Sequence, residues 1–124
     1  MDLSQIDYLK LRDHGCEIIG GLSEIYLTLH YISHPKKLNY QISLYRFLDR
    51  ILVYGRNPDG LFYNAVNLKT GKLIDSRIAD TWGYILNAYY TVWIVDQKDE
   101  YKKAVLKPFK ALDLKYRNYN WEPK

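Results

Sequence analysis

The segment from Asp80 to about Val95 limits the possible folds of this chain more than any other part. Its apolar and aromatic residues, from Trp82 to Ile94, fall on nearly every side of a helix. A helix that is hydrophobic all round is normally surrounded by other parts of the protein. Because the segment is shorter than the roughly 18 to 20 apolar residues of a membrane span, we expect it inside a folded, soluble domain.

A second helix of inner type is predicted over residues 13–32. Apolar residues recur there at spacings of three and four and define one helical stripe, made up of Ile18, Leu22, Ile25, Tyr26, Leu29 and Ile32. Asp13 is the predicted N-cap. Gly20 and Gly21 each cost about 1 kcal/mol relative to alanine in a helix, which indicates that a neighbouring helix packs closely against them.

Residues 35–54 and 98–117 are predicted to be amphipathic outer helices. Pro35 opens the first of them and Gly55 ends it, and its apolar stripe is Leu38, Ile42, Tyr45, Leu48 and Leu52. The stripe of the second is Tyr101, Ala104, Val105, Phe109 and Leu112. Pro108 is expected to kink this helix or to restart it.

Residues 56–79 are predicted to form a small β-hairpin between the helix pairs. A turn at 57–60 leads into a strand at 61–66, and the chain then reverses at 67–71 into a second strand at 72–75. The predicted fold class is all-α: two αα-hairpins of inner and outer helices, with this β-hairpin inserted between them. Residues 1–124 are interpreted as one helical domain, with hairpin one at about 13–55, the connection at about 56–79 and hairpin two at about 80–117.

Composition excludes several classes of function. The 18 basic and 14 acidic residues give a net charge of +4 and form no basic cluster, so a nucleic-acid partner is not expected. Cys16 is the only cysteine, which favours a buried, inert thiol and a reducing compartment. No signal peptide or membrane anchor is predicted, so we expect a soluble, cytoplasmic chain. No cofactor is expected, and His30 and His34 lack a third metal ligand.

Candidate site residues gather at one end of the predicted bundle. The first and third helices of an antiparallel arrangement run parallel, so their N-termini emerge together beside the connection. The candidate catalytic residues are Asp80 and Glu17, and the candidate substrate-binding residues are His14, Asp59, Tyr63, Arg77, Trp82 and Tyr84. A helix N-terminus stabilises an ionised carboxylate, so Asp80 suits a base and Glu17 the complementary acid. Two carboxylates across a sugar are what glycoside cleavage requires.

Structural interpretations of the same residues stay open. Asp80 has the position of an N-cap, and Glu17 that of a solvated carboxylate at a helix start. His14 is equally suited to an exposed or capping role, and Asp59 to a turn. Arg77 has Asp75 or Asp80 as surface partners, and the aromatic residues suit a core.

Three motifs carry a resemblance to a known family. The segments Asp59-Gly60-Leu61-Phe62-Tyr63, Asn67-Leu68-Lys69-Thr70-Gly71 and Ala79-Asp80-Thr81-Trp82-Gly83-Tyr84 resemble those of six-hairpin (α/α) toroid proteins of the glycosidase-like superfamily, such as the unsaturated-glucuronyl hydrolases. The resemblance covers about residues 13–117. It implies a ring of inner and outer helices over a carbohydrate cleft at the inner-helix N-termini, and an oligosaccharide as partner.

The resemblance also bears on completeness. A closed toroid has six hairpins and this chain holds about two, so it is similar to a fragment of the ring, with residues 119–123 resembling a linker to a further hairpin. It implies self-association or a missing remainder of the toroid, and an isolated chain without hydrolase activity. A second interpretation is a noncatalytic helical interaction or structural module. Convergence of Asp80, Glu17 and Trp82 on a concave patch favours the first, and their dispersal into caps and core favours the second.

Overall fold

A computed structural model describes residues 2–116 of the chain. The described part contains four α-helices: α1 (His14–Tyr31), α2 (Lys37–Tyr54), α3 (Trp82–Asp96) and α4 (Asp99–Tyr116). It also contains a short 3-10 helix (Leu3–Gln5) and three strands: β1 (Leu9–Lys10), β2 (Tyr63–Val66) and β3 (Leu73–Ile78). The four predicted helices are confirmed. The residues predicted as the end of hairpin two, at 117, and as a linker, at 119–123, lie outside the described range.

The fold is helix-rich but not strictly all-α. The predicted hairpin of β2 and β3 is confirmed, and β1 adds a third antiparallel strand through the pairs Leu9 with Val66 and Lys10 with Ala65. A strand of two residues is too short to show the alternating pattern by which strands are predicted. The sheet places the N-terminal segment beside the start of α1, where Leu9 and Leu11 are buried.

The inner helices α1 and α3 run parallel and pack against each other along their length. At their N-terminal ends the Thr81 hydroxyl donates a hydrogen bond to the Leu11 carbonyl over 3.4 Å. At their C-terminal ends the Tyr26 hydroxyl donates to the Asp96 carboxylate over 2.5 Å. Both pairs are 70 residues apart in sequence, so the two helices stand level with each other.

Aromatic side chains fill the core between the helices and the β-hairpin. Phe62 of the connection stacks on Tyr89 of α3, with ring centroids 6.0 Å apart. Tyr89 in turn meets Tyr101 of α4 edge to face at 5.2 Å, and its hydroxyl donates to the Leu48 carbonyl of α2. These contacts join α2, α3, α4 and the connection around one buried centre.

The predicted core stripe of α1 is wrong in part. Ile18, Ile25 and Ile32 are 56%, 50% and 62% exposed, whereas Cys16, Ile19, Ser23 and Tyr26 are buried. Apolar residues surround most of this helix, so the spacing fits two adjacent stripes, and the positions of α2 and α3 decide between them. The close neighbour predicted for Gly20 and Gly21 is not among the described residues, since a Cβ at either position would meet no heavy atom within 4 Å.

Details of the outer helices differ from the predictions as well. In α2, Leu38 and Ile42 are exposed, and the buried residues are Leu44, Phe47, Leu48 and Ile51. Helix α4 continues through Pro108, which is buried against the connection, since a Cβ at Gly60 would lie 3.1 Å from the Pro108 Cδ atom. Pro108 lacks the N–H group of a helix hydrogen bond, which weakens the helix. Packing of the proline ring against the connection compensates for this loss.

Candidate functional site

The N-termini of α1 and α3 lie side by side, and β1 passes directly against the start of α1. Gly15 makes this possible, since a Cβ there would lie 1.6 Å from the Lys10 carbonyl oxygen. The approach places His14 and Glu17 on the first turn of α1, beside the segment that enters α3. The two helix starts lie together, as predicted, because α1 and α3 pack in parallel.

Two adjoining surface depressions occupy this end, and both are lined by Thr81 and Tyr84. The first has a volume of about 440 Å³ and is further lined by Asp13, His14, Cys16 and Glu17. The second has a volume of about 530 Å³ and is further lined by Asp80, Trp82, Gly83 and Asn87. Both are open to solvent, so the face they form is accessible to a large ligand.

Tyr84 stands at the junction of the two depressions. Its side chain is 70% exposed, which is unusual for a large aromatic residue on an inner helix. The carboxylate-bearing residues Glu17 and Asp80 belong to the depressions on either side of it. The structure therefore brings an exposed aromatic ring and two carboxylates to one face.

The two candidate catalytic residues differ in their surroundings. Glu17 Oε2 lies 3.2 Å from His14 Nδ1, and both side chains are exposed. Asp80 is exposed and makes no hydrogen bond or ion pair with any part of the chain between residues 2 and 116. The carboxylate of Asp80 is thus open to a ligand, whereas that of Glu17 is oriented by a histidine.

Asp13 occupies the predicted N-cap position of α1, but the interpretation of Asp80 as an N-cap is wrong. Helix α3 begins at Trp82 with Thr81 in the capping position, and no side chain caps it. Asp13 precedes α1 with a φ of 51° and its side chain accepts no capping hydrogen bond. The reason at α3 is that the Thr81 hydroxyl turns to the Leu11 carbonyl, which leaves Asp80 one residue too far from the helix.

Trp82 lies on the edge of the site and contributes to packing. Its ring is partly buried and meets Phe109 of α4 edge to face at 6.1 Å. It therefore fixes the start of α3 against α4, while the rest of the ring lines the depression beside Asp80. Its position fits both the predicted binding role and the core interpretation.

Three other predicted site residues do not line either depression. Asp59 lies in the turn at 57–60, where its backbone N–H donates to the Asn57 side chain, and its carboxylate forms an ion pair with Lys115 of α4 over 2.5 Å. Arg77 pairs with Asp75 over 2.7 Å, and its hydrogen bonds lower the pKa of the Asp75 carboxyl well below its usual value. Tyr63 pairs with Ile78 in the sheet and is half-buried. These positions agree with the structural interpretations of Asp59 and Arg77.

Asn87 is a site residue that the sequence analysis missed. It lies three residues after Tyr84, and residues at this spacing share one face of a helix, so the signal was present. Its amide supplies both a donor and an acceptor to the depression that contains Asp80. Thr81 lines both depressions and was also missed, and its hydroxyl donates to the Leu11 carbonyl.

A polar cluster at the opposite end of α3 was also missed. The Asp96 carboxylate accepts hydrogen bonds from Tyr26, Tyr45 and Gln41 and lies 3.4 Å from the ammonium group of Lys37. Burial by itself raises the pKa of Asp96, but these hydrogen bonds and the charge of Lys37 outweigh burial and hold the pKa below its usual value. Burial and the neighbouring carboxylate raise the pKa of both tyrosines. All four donors point at Asp96, so the cluster is saturated and has a structural role.

Cys16 and His34, which the sequence analysis considered for thiol and metal chemistry, have hydrogen-bond partners in the structure. Residues 2–116 contain no group of three or more histidine, cysteine, aspartate or glutamate side chains that could hold a metal ion. The buried Cys16 thiol donates to the Asp13 carbonyl over 2.8 Å, and the His34 ring accepts from the Lys36 backbone. Within the same range, no helix has the length and apolar character needed to cross a lipid bilayer.

Comparisons with family models, with curated proteins and with solved structures find no match for this chain. The geometry of the site is therefore the basis for assigning a function.

Proposed function

We propose that this chain is a carbohydrate-active domain of the (α/α) toroid type, glycoside hydrolase-like, whose sugar-binding face is formed by the N-termini of α1 and α3. The observation that carries the proposal is the exposed ring of Tyr84 between the carboxylate-bearing residues Glu17 and Asp80. Parallel inner helices followed by outer helices are also the arrangement that the toroid resemblance implies. The extension from two hairpins to a ring is part of the proposal.

The chemistry of the face suits a sugar. The apolar face of a pyranose ring stacks on an exposed aromatic ring, and its hydroxyl groups need several hydrogen-bonding groups at fixed positions. Tyr84 provides the platform, and Asp80, Asn87 and Glu17 provide oxygen and nitrogen atoms around it.

The two carboxylates are assigned the acid and base roles of glycoside cleavage. The acid protonates the oxygen of the leaving group, and the other carboxylate activates water or attacks the sugar carbon. Asp80 lies just before the N-terminus of α3, where the helix dipole stabilises a negative charge, and is assigned as the base. Glu17 is assigned as the acid, and His14 orients it through the 3.2 Å contact.

The test is a binding titration followed by NMR or calorimetry, with a panel of neutral and uronic-acid oligosaccharides. Tyr31 provides a matched control, since its side chain is 72% exposed, compared with 70% for Tyr84, and lies at the other end of α1. We expect Tyr84→Ala to weaken binding of the preferred sugar at least tenfold, and Tyr31→Ala to change it less than twofold. The absence of binding by every sugar, or equal losses in the two variants, would refute the proposal.

The catalytic assignment is tested separately on the sugar that binds. Asp80→Asn and Glu17→Gln are expected to abolish cleavage and to retain binding within about threefold, because each variant keeps the shape of the side chain. If cleavage survives either change, the assignment is wrong even where binding is confirmed. If the chain alone binds and does not cleave, the site belongs to a domain that needs further hairpins for activity.

A second candidate function is that of a helical interaction module. The observation that favours it is the exposure of Ile18, Ile25 and Ile32 on an inner helix. This stripe lies apart from the two depressions, so an interaction role and a sugar-binding role are compatible.

A further inference from the structure

An apolar surface runs along α1 on the side that faces away from α3. Cys16 and Glu17 share a depression with Tyr84 of α3, and residues along a helix are about 100° apart, so Ile18 lies about 160° around α1 from Cys16. Ile25 and Ile32 continue the same line at intervals of seven residues. We call these three isoleucines, with Gly21 about 40° around the helix from Ile25, the α1 face.

A different apolar surface runs along the far side of α3. Tyr90 lies about 120° around this helix from Tyr84, and Tyr90 and Ile94 are 44% and 42% exposed. A Cβ at Gly83 would meet no heavy atom within 4 Å in the described part of the chain. We call Gly83, Tyr90 and Ile94 the α3 face. The layer formed by the two inner helices thus has one apolar surface at each edge.

The two faces are complementary in shape. Contacts between α1 and α3 join residues 70 positions apart, so Tyr90 stands at the level of Gly20 and Ile94 close to the level of Ile25. When a second copy is placed beside the first with its helices parallel and level, the large Tyr90 ring meets the gap at Gly21. This glycine, which no described residue covers, would then have the closely packed neighbour that its cost in helix stability indicates.

The charged residues beside the two faces favour contact between an α1 face and an α3 face over contact between two α1 faces. The α1 face is bordered by the exposed Glu17 and Glu24, so contact between two α1 faces would bring like charges together. The α3 face is bordered by Lys102, whose ammonium group lies 5.6 Å from the centre of the Trp93 ring. The Trp93 ring lies 5.7 Å from that of Tyr90. Contact between an α1 face and an α3 face therefore pairs an acidic border with a basic one.

The area is sufficient for a specific contact. The three isoleucines and the half-buried Leu22 and Leu29 beside them leave on the order of 400 Å² of apolar surface, close to the apolar share of the about 800 Å² that each partner buries in a standard interface. Apolar patches of this size on a monomer commonly mark interaction sites.

We propose that this chain associates with a second copy of itself head to tail, with the α1 face of one copy on the α3 face of the next and the Tyr90 ring over Gly21. Such a contact is heterologous, so every copy in a dimer retains one unused face and further copies add to it. The contact leaves Asp80 and Tyr84 uncovered, and it borders Glu17, His14 and Gly83, which line the two depressions.

The experiment measures the mass of the full chain by light scattering over a range of concentrations, without sugar. Ile25→Glu disrupts the α1 face and Tyr90→Glu disrupts the α3 face. Leu114→Glu on α4, at a residue 79% exposed, is the control with the same change in charge. We expect the mass of the wild type and of the control to rise with concentration by at least twofold, and each face variant to remain a monomer.

Mixing the two face variants decides the geometry of the contact. Each of them keeps one intact face, so an equimolar mixture is expected to form a 1:1 dimer that grows no further. Growth of either variant alone, or a mixture that stays monomeric, would overturn head-to-tail association, and so would a wild type that is monomeric at every concentration. Because sugar is absent, failure here leaves the carbohydrate proposal intact, and failure of sugar binding leaves this one intact.

A second variant separates association from folding. Gly21→Ala removes part of the gap for the Tyr90 ring and is compatible with the helix, so we expect at least a fivefold weaker association together with an unchanged or higher thermal midpoint. An association unchanged by Gly21→Ala would exclude the seating of Tyr90 at this position. Circular dichroism of every variant checks that the helical content is that of the wild type.

Discussion

The Tyr26 hydroxyl donates a hydrogen bond of 2.5 Å to the carboxylate of Asp96, which is the last residue of α3. The same carboxylate oxygen accepts from Tyr45 over 2.5 Å and from Gln41 over 3.3 Å, both on α2. One side chain therefore joins the C-terminal ends of two inner helices to an outer helix. This contact holds α1 and α3 level, and with them the two helix starts that form the candidate site.

Loss of the Asp96 charge is expected to destabilise the fold. Asp96→Asn keeps the shape of the side chain but removes the charge, and hydrogen bonds to charged groups contribute about 1.5 to 3 kcal/mol each. We expect the free energy of unfolding in urea at pH 7 to fall by about 2 to 3 kcal/mol. Asp80→Asn is the control, at an exposed aspartate, and is expected to change it by less than about 0.5 kcal/mol. Equal effects of the two changes would contradict the structural role of Asp96.

The contribution of Asp96 is expected to depend on pH. Its pKa in the folded state lies below the ordinary value of 3.8, so the unfolded chain takes up a proton first as the pH falls. The stabilisation is then fully present above about pH 4 and is lost as the pH falls through the pKa of the folded state. The difference in unfolding free energy between wild type and Asp96→Asn should therefore narrow from about pH 4 down to the acid limit of folding. A difference that stays constant over this range would contradict the lowered pKa.

Loss of the hydroxyl group is expected to affect the stability of the fold differently at Tyr26 and at Tyr40. Tyr26 and Tyr40 stack with ring centroids 6.4 Å apart, but only Tyr26 has a hydrogen-bond partner, since the Tyr40 hydroxyl is buried without one among the described residues. Tyr26→Phe should cost about 1 to 2 kcal/mol. Tyr40→Phe removes an unsatisfied polar group and should leave stability unchanged or raise it by up to about 1 kcal/mol. Thermal and urea unfolding of both variants provide the measurement, and a larger loss for Tyr40→Phe would contradict this arrangement.

Substitution by alanine is expected to have opposite effects on stability at Gly15 and at Gly20, two glycines of α1. A Cβ at Gly15 would lie 1.6 Å from the Lys10 carbonyl oxygen, whereas at Gly20 it would meet no described atom within 4 Å. Gly15→Ala should displace β1 and cost more than about 2 kcal/mol. Gly20→Ala should stabilise the monomer by about 0.5 to 1 kcal/mol, because alanine loses less conformational entropy in a helix. Urea unfolding at a concentration where the chain is monomeric tests both, and a stable Gly15→Ala variant would exclude the close approach of β1.

The order and bounds of the helices followed closely from local patterns. The connection of only a few residues between α1 and α2 predicted an antiparallel pair, and the all-apolar character of α3 predicted an inner helix. The parallel course of α1 and α3 then followed from connectivity. For the same reason Glu17, His14, Asp80, Trp82 and Tyr84 could be placed at one end of the fold before any side-chain contact was known.

The roles of single polar residues could not be predicted in this way. Asp59 and Asp96 are ordinary charged residues in the sequence, and their partners Lys115 and Tyr26 are chosen by three-dimensional proximity. The pairing of Arg77 with Asp75, two residues away, was among the predicted alternatives. Asp80 has the sequence position of a cap, but the hydrogen bond between Thr81 and Leu11 moves the start of α3 by one residue. Such choices depend on contacts between residues far apart in the chain.

The sequence by itself determined which segments are helical, which helices are inner, and where the chain reverses, because spacing and turn residues act over a few positions. Only the tertiary structure decided which stripe of α1 is buried. Apolar residues cover both stripes of that helix, so periodicity is satisfied by either, and the packing of α2 and α3 buries Ile19 and Tyr26 while it leaves Ile18 and Ile25 exposed. Burial is a property of neighbouring elements, and a local pattern specifies only the faces that are available for it.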